Sequence, residues 1–376
     1  MKKHVLLIVR WPVGGIRTFL RYVYRNFDPE QWRFTLLAPE LSEVHVLLEE
    51  DLPDHEFTYL PVEENPSAMV FTHQVIKALG RHRYDLVHSH GLTAGLCAAL
   101  PVKLRRVPHV LTLHDVINAS QVVGFKGRLK KVVIGQLLGL IDSIHSVSQD
   151  TQDNLLTYFP RLPHHSPQAV VIRNGIEVAR FQEETVRDLR SELGLTEEHF
   201  LIGFLGRFMS QKGFRYLVEA MELLVKETDL PKTPVVVTFS DGGFVREEKA
   251  AVAKQGLDSS FYFLPFTPNV AATIRGLDVV AMPSLWEACA LLPMETLVCG
   301  TPFIGTNCIG LREVIRDTPA ITVPAADATA LHQALSREIR TNSKAKFAAF
   351  RQHAAERYCV SRASVALQEL YQELLP

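Results

Sequence analysis

The chain has no C-x-x-C pair, no G-x-G-x-x-G, no surplus of charge of either sign, and no long apolar run. Each absence closes a class of function. The five cysteines, Cys97, Cys289, Cys299, Cys308 and Cys359, do not carry zinc-site spacing. Their odd number in apolar surroundings fits buried thiols kept reduced in a cytosol. A net charge of −1 gives no global basic field, so nucleic acid is not an expected partner. No segment approaches the roughly 18 apolar residues that a transmembrane helix needs. The apolar run at residues 5–9 is stopped by Arg10 and is shorter than the ~7–15 residues of a secretory leader. It reads as a first buried strand. The expected location is therefore cytoplasmic. A P-loop is absent, because the interval from Gly206 to Gly213 has the wrong length and lacks the Gly-Lys-Ser/Thr ending.

What is present is a rhythm. Short apolar runs at residues 5–9, 34–37, 86–88, 109–113, 143–147 and 169–172 alternate with helical patterns at 18–25, 68–79 and 93–104. A second series has runs at 201–205, 234–239, 261–264, 277–282, 301–304 and 320–323. Its helices fall at 214–226, 245–255, 270–275, 293–299 and 328–341. Strand–helix alternation implies parallel sheets. At 376 residues the chain suits two domains. The expected architecture is α/β, with two Rossmann-like doubly wound domains facing across a cleft. The first spans residues 1–175 and the second 176–357, with residues 358–376 returning to the first as an amphipathic helix.

The chemistry concentrates where strands end. Glu287 and Glu295 stand in Pro283-Ser284-Leu285-Trp286-Glu287-Ala288-Cys289-Ala290-Leu291-Leu292-Pro293-Met294-Glu295, after one strand and into the next helix. Open α/β sheets bind ligands at that edge, and carboxylates there accept hydrogen bonds from hydroxyls. Solvated acids near a helix start are the plainer alternative. Proline suits a first helical position, so the amides of Cys289, Ala290, Leu291 and Leu292 are expected to be available to an anion. Gly206-Arg207-Phe208-Met209-Ser210-Gln211-Lys212-Gly213 follows a strand and opens a helix, a phosphate-binding geometry reinforced by two cations. A surface turn is its plainer reading. Gly14-Gly15 follows the first strand and allows close backbone approach. Ser240-Asp241-Gly242-Gly243 ends another strand and is a further candidate contact. His114 closes the strand at 109–113 and is placed to donate hydrogen bonds. His88 and His90 close another, although most of the 15 histidines must be structural. Lys126-Gly127-Arg128-Leu129-Lys130-Lys131 reads either as a solvated helix face or as a contact with an anionic membrane surface.

Taken in order, these segments resemble the retaining family-4 glycosyltransferases of the GT-B fold. The resemblance rests on Gly14-Gly15, Leu111-Thr112-Leu113-His114-Asp115, Val171-Ile172-Arg173-Asn174-Gly175-Ile176-Glu177, Gly206-Arg207 through Lys212-Gly213, and Pro283-Ser284 through Glu287 and Glu295 to Gly300-Thr301-Pro302. It implies that Arg207 and Lys212 bind a donor diphosphate and that Glu295 takes the ribose. It assigns donor-sugar hydroxyls to Glu287, an approach to the sugar to His114, and a place beside the diphosphate to Gly15. The substrates implied are a nucleotide diphosphate sugar (UDP- or GDP-linked) and an acceptor glycan, lipid or small molecule. No cofactor and no metal are expected, since two cations and a helix start face the diphosphate and no clear D-x-D is present. Leu264-Pro265-Phe266 is a candidate wall for the base. Relatives carry Gly-Phe-Gly where this chain has Ala288-Cys289-Ala290, and positive φ at either alanine would strain the loop. Thr296 also stands where relatives have alanine. Two alternatives stay in view: a nucleotide-sugar epimerase or hydrolase on the same scaffold, and a catalytically silent sugar-nucleotide-binding protein, which the Ala288-Cys289-Ala290 departure keeps open.

Overall fold

The computed structural model describes residues 2–118, 124–162, 168–239 and 244–375. The chain forms two compact units, Met1–Gly175 with Val360–Pro376, and Ile176–Cys359.

The first unit is built on a parallel sheet of β1 (Lys3–Val9), β2 (Trp32–Pro39), β3 (Phe57–Val62), β4 (Leu86–His90), β5 (His109–Leu113), β6 (Ser143–Ser146) and β7 (Gln168–Val171). Their spatial order is β3-β2-β1-β4-β5-β6-β7. The order reverses between β1 and β4, where crossover connections diverge to the two sides and leave a crevice at the strands' carboxyl ends. Helices cover both faces, so β1 is buried along almost its whole length. The edge strand β3 tolerates Pro61, which lacks the ladder donor that a central strand needs.

The helix Ser361–Leu374 belongs to this first unit. Its Leu367, Leu370 and Tyr371 are buried. The Tyr371 ring lies against Phe27 and Trp32, and the Ser364 hydroxyl donates to Val23 O at 3.0 Å.

The second unit repeats the plan with β8 (His199–Leu205), β9 (Thr233–Phe239), β10 (Phe261–Leu264), β11 (Val279–Met282), β12 (Phe303–Thr306) and β13 (Ile321–Val323). The order β10-β9-β8-β11-β12-β13 places its reversal between β8 and β11. One side of the sheet packs on an aromatic cluster that includes Phe204, Phe208, Phe214 and Phe261.

Candidate active site

The two strands that flank the reversal in the second unit deliver the two segments richest in polar chemistry. From β8 the chain passes Gly206 and Arg207, makes a single 3₁₀ turn at Ser210–Lys212, and enters the helix Phe214–Leu224 through Gly213. Phe208 is buried, stacked on Phe204 at 5.8 Å, and pins the turn from beneath. From β11 the chain enters Pro283 to Glu287. Backbone and side-chain bonds join the two loops: Leu285 N donates to Gln211 O at 2.8 Å, and Gln211 Nε2 donates to Trp286 O at 2.9 Å. Gly213, at φ 67°, lies so close to the second loop that a Cβ would stand 2.0 Å from Pro283 O. Only glycine meets both demands.

This register sets Lys212 Nζ 2.8 Å from Glu287 Oε1, which also accepts from Ser284 Oγ at 2.9 Å. Glu287 is buried and Lys212 half-buried, so the pair is shielded and held on both sides. Arg207 differs. It is exposed and has no hydrogen-bond or ion-pair partner among the described residues. The two cations singled out in the sequence thus differ in how they are held: Lys212 is paired with Glu287, and Arg207 is not paired with any described residue.

The segment after Glu287 departs from a second expectation. The amide of Ala290 donates to Gly310 O at 3.2 Å and is not available to an anion; that of Glu287 goes to Ile309 O at 2.9 Å. Gly310, at φ 74°, takes the place where a Cβ would meet Glu287 O at 2.1 Å. Ala288 and Ala290 are buried, and neither is among the non-glycine residues with positive φ. The alanines therefore impose no left-handed strain, and the loop is seated by Gly310 on the neighbouring segment. Cys289 is partly exposed, and no cysteine is in a disulfide. Leu291 and Pro293 begin the helix Leu292–Cys299, whose first turn carries Glu295. Burial pushes the Glu295 carboxyl up to about 7, opposed by Arg180. Phe266, beyond the end of β10, is strongly exposed.

The first unit carries its candidate residues on the loops at the carboxyl ends of its own strands. At the end of β1, Gly14 (φ 58°) precedes the helix Gly15–Tyr24, and the space around Gly15 is open. The left-handed conformation thus falls on Gly14, and Gly15 supplies room. His114 follows β5 and is partly buried. Its Nε2 lies 3.1 Å from His90 Nδ1, and the Phe19 ring meets it edge-on at 4.9 Å. Burial, with His145 nearby, pushes His114 down to about 3, so the imidazole is neutral at physiological pH. Behind it lies a hydrogen-bonded cluster of His88, His90, Thr112, His145, Tyr24 and Tyr371. Sequence reasoning singled out the two histidines of β4 without joining them to the rest. The signal was polar residues inside otherwise apolar strand segments; the partners, far apart in sequence, were not legible.

Gly242 lies outside the described residues, as does the side chain of Lys126. On the helix Gly124–Leu138, Arg128, Leu129, Lys130, Val132 and Val133 are exposed. Among the described residues, no helix is long and apolar enough to cross a membrane, and no group of three or more His, Cys, Asp or Glu side chains has the geometry to hold a metal ion.

Residues 13–180 match the Glycosyltransferase Family 4 description, and residues 199–340 match Glycosyl transferases group 1. The chain is 28% identical over 336 residues to a D-inositol 3-phosphate glycosyltransferase of Streptomyces bingchenggensis, covering 84% of this chain and 73% of that one. It is 28% identical over 359 residues to the protein of the same name from Saccharomonospora viridis, covering 90% and 81%. Its fold superposes on that of Anabaena HepE, solved in complex with UDP-glucose, with a TM-score of 0.82 at 19% identity, covering 99% of this chain and 100% of that chain. Sucrose-phosphate synthase from Thermosynechococcus elongatus gives 0.79 at 18% identity, covering 100% and 99%. The order of segments, the two doubly wound sheets and these matches agree: the chain belongs to the family-4 glycosyltransferases of the GT-B fold.

Proposed function

We propose that the protein transfers a sugar, with retention of configuration, from a UDP- or GDP-linked donor to an acceptor hydroxyl. The observation that carries this reading is the Lys212–Glu287 pair at the sheet reversal of the second unit, beside the exposed Arg207. Lys212 and Arg207 meet the charge that grows on the departing diphosphate, and the start of the helix Phe214–Leu224 adds its dipole. Glu287, gripped through Oε1, keeps Oε2 for a sugar hydroxyl. Glu295 takes the ribose, and His114 and Gly15 of the first unit serve the sugar and the diphosphate. With these cations supplying the neutralisation, the reaction needs no metal. HepE, solved with UDP-glucose, supports a nucleotide-sugar donor, and the inositol phosphate relatives place phosphorylated polyols among the acceptors to try first. The exposed Leu129, Val132 and Val133 beside Arg128 and Lys130 would hold the enzyme against a membrane carrying a lipid acceptor.

The test is acceptor-dependent release of nucleoside diphosphate. UDP, GDP, ADP and dTDP are ranked by thermal shift, where saturation at roughly 100 Kd stabilises by about 2.7 kcal/mol. Sugar donors of the winning base are then offered with inositol phosphates, glycans and lipids, with and without chelator. NMR of the product reads the anomeric configuration. Free sugar or an epimer formed without acceptor would identify a hydrolase or epimerase. Binding without turnover across the panel would identify a silent binder.

A further inference from the structure

The sheet of the first unit buries polar side chains where a parallel sheet normally holds aliphatic ones: His88, Ser89, His90, Thr112 and His145 are all at most 1% exposed. Such groups must be hydrogen-bonded, because each one left unpaired costs about 1–3 kcal/mol. Their bonds also have a direction, which one end of the chain dictates. His145 Nε2 lies 2.9 Å from Ile172 O, which can only accept. Nε2 therefore carries the proton and Nδ1 is bare. The Thr112 hydroxyl, 2.8 Å away, donates to that Nδ1. Its one proton is then spent, so His88 Nε2, at 2.6 Å, donates to the Thr112 oxygen. His88 Nδ1 is bare in turn.

That nitrogen forms a triangle with two phenols. Tyr371 OH lies 2.5 Å and Tyr24 OH 2.9 Å from it, and the two hydroxyls are 2.9 Å apart. Three close contacts among lone-pair atoms keep both phenolic protons inside the triangle. Neither is left for His90 Nε2, 3.0 Å from the Tyr24 oxygen, so His90 Nε2–H is the donor there. His90 Nδ1 is consequently bare, and its 3.1 Å bond to His114 requires the proton on His114 Nε2. Burial keeps all four imidazoles neutral, each well below its ordinary value, so no second ring proton relaxes the sequence of bonds. His114 Nδ1 has no partner among the described residues.

We propose that this chain of bonds, anchored at the Ile172 carbonyl and routed through Tyr24, fixes His114 as the Nε2–H tautomer, so that its bare Nδ1 accepts a hydrogen bond from a donor-sugar hydroxyl. This reverses the polarity expected from sequence, where His114 was to donate. Thr112, His88, Tyr24 and His90 act as positioning residues, setting the chemistry of a side chain to which His90 alone among them is bonded. The sugar as ligand rests on the glycosyltransferase reading; the tautomer does not.

The experiment is ¹⁵N NMR of the full chain labelled at histidine, in which bare and protonated ring nitrogens of neutral imidazoles are well separated. His114→Asn identifies the His114 signals. Expected are four Nε2–H tautomers in the unliganded protein. Thr112→Val cuts the path to Ile172 and frees His88 to donate from Nδ1, which reverses each bond beyond it, so the His114 Nδ1 signal should move toward the protonated position. Tyr371→Phe leaves that path intact and leaves Tyr24 as the hydroxyl beside the bare His88 Nδ1, so Tyr24 donates there, His90 Nε2–H still donates to the Tyr24 oxygen, and the His114 signals should stay where they are. A protonated Nδ1 on wild-type His114, or a His114 spectrum unchanged by Thr112→Val, overturns the tautomer. Donors deoxygenated at each sugar position in turn test the acceptor role: one should bind about ten-fold more weakly to wild type, the size of one hydrogen bond, and not to His114→Phe. Uniform binding across the series overturns that role while transfer of the parent sugar still upholds the glycosyltransferase reading.

Discussion

Lys212 and Glu287 were both legible as single residues, a cation in a glycine-bounded turn and an acid at a strand edge. Their 2.8 Å bond was not, since 75 positions separate them and only the adjacency of β8 and β11 brings them together. The bond makes the consequences of removal unequal. On the proposed reading, in which Lys212 faces the leaving group, Lys212→Ala should lower kcat about 10²–10³-fold with the fold retained; steady-state kinetics beside a melting curve check it, and near-normal turnover would remove Lys212 from the mechanism. Glu295 gives a pH signature. Burial raises its carboxyl from 4.5 to about 7 in the folded protein. The native state therefore binds this proton more tightly than the unfolded chain, so its stabilising share is complete below pH 4.5 and is lost as pH rises through about 7. Ligand binding should run the other way. An ionised carboxylate accepts ribose hydroxyls better than a protonated one, so affinity for UDP-glucose, whose diphosphate does not titrate in that range, should rise with pH up to about 7. Calorimetry across that range with Glu295→Gln as the flat control decides both slopes.

At the scale of elements, short runs rich in β-branched, aromatic and leucine residues read directly: β5 and β10 form over the residues expected, as do the helices Val270–Arg275 and Ala328–Thr341. The edge strand β3 escaped because Pro61 argues against a central strand and its exposed positions dilute the apolar pattern. The helix Lys344–Tyr358 escaped because its buried face is made of Phe347, Ala354, Ala355 and Tyr358, too sparse and too rich in alanine to stand out. Nor could the sequence reveal that Gly310 would seat the alanine loop, because that contact joins two turns from different strands. Both glycine contacts predict loss of geometry ahead of loss of fold. Gly213→Ala sets a Cβ 2.0 Å from Pro283 O, and Gly310→Ala sets one 2.1 Å from Glu287 O, each at positive φ. Strain of this kind costs about 1–3 kcal/mol before the loops move. Each variant should melt lower but fold, and should lose far more kcat than the strain alone explains, because relief comes by displacing the segment that carries Glu287. Activity retained in proportion to stability would show that the two loops need no common register.

At the scale of the whole molecule, two doubly wound units were legible from the repeated strand–helix rhythm, but the dependence of the first unit on the chain's far end has a sharper physical content than an amphipathic pattern conveys. Residues 360–376 belong to the first unit although 184 residues of the second, Ile176–Cys359, precede them. They contribute Leu367, Leu370 and Tyr371 to its interior, and Tyr371 closes the phenol triangle behind His88. Burying a large apolar side chain is worth about 1.5–3 kcal/mol, so these three carry about 6 kcal/mol, comparable with the net stability of a whole domain. Their loss also uncovers Phe27 and Trp32. A chain ending at Cys359 should therefore lose the first unit's cooperative transition in scanning calorimetry, or show it at much lower temperature. The second unit retains its own core and its Lys212–Glu287 pair, and its transition should still rise when UDP is added. Two intact transitions after truncation would mean that the helix is an ornament on the first unit; a UDP response lost with the helix would mean that nucleotide binding requires the first unit and is not a property of the second alone.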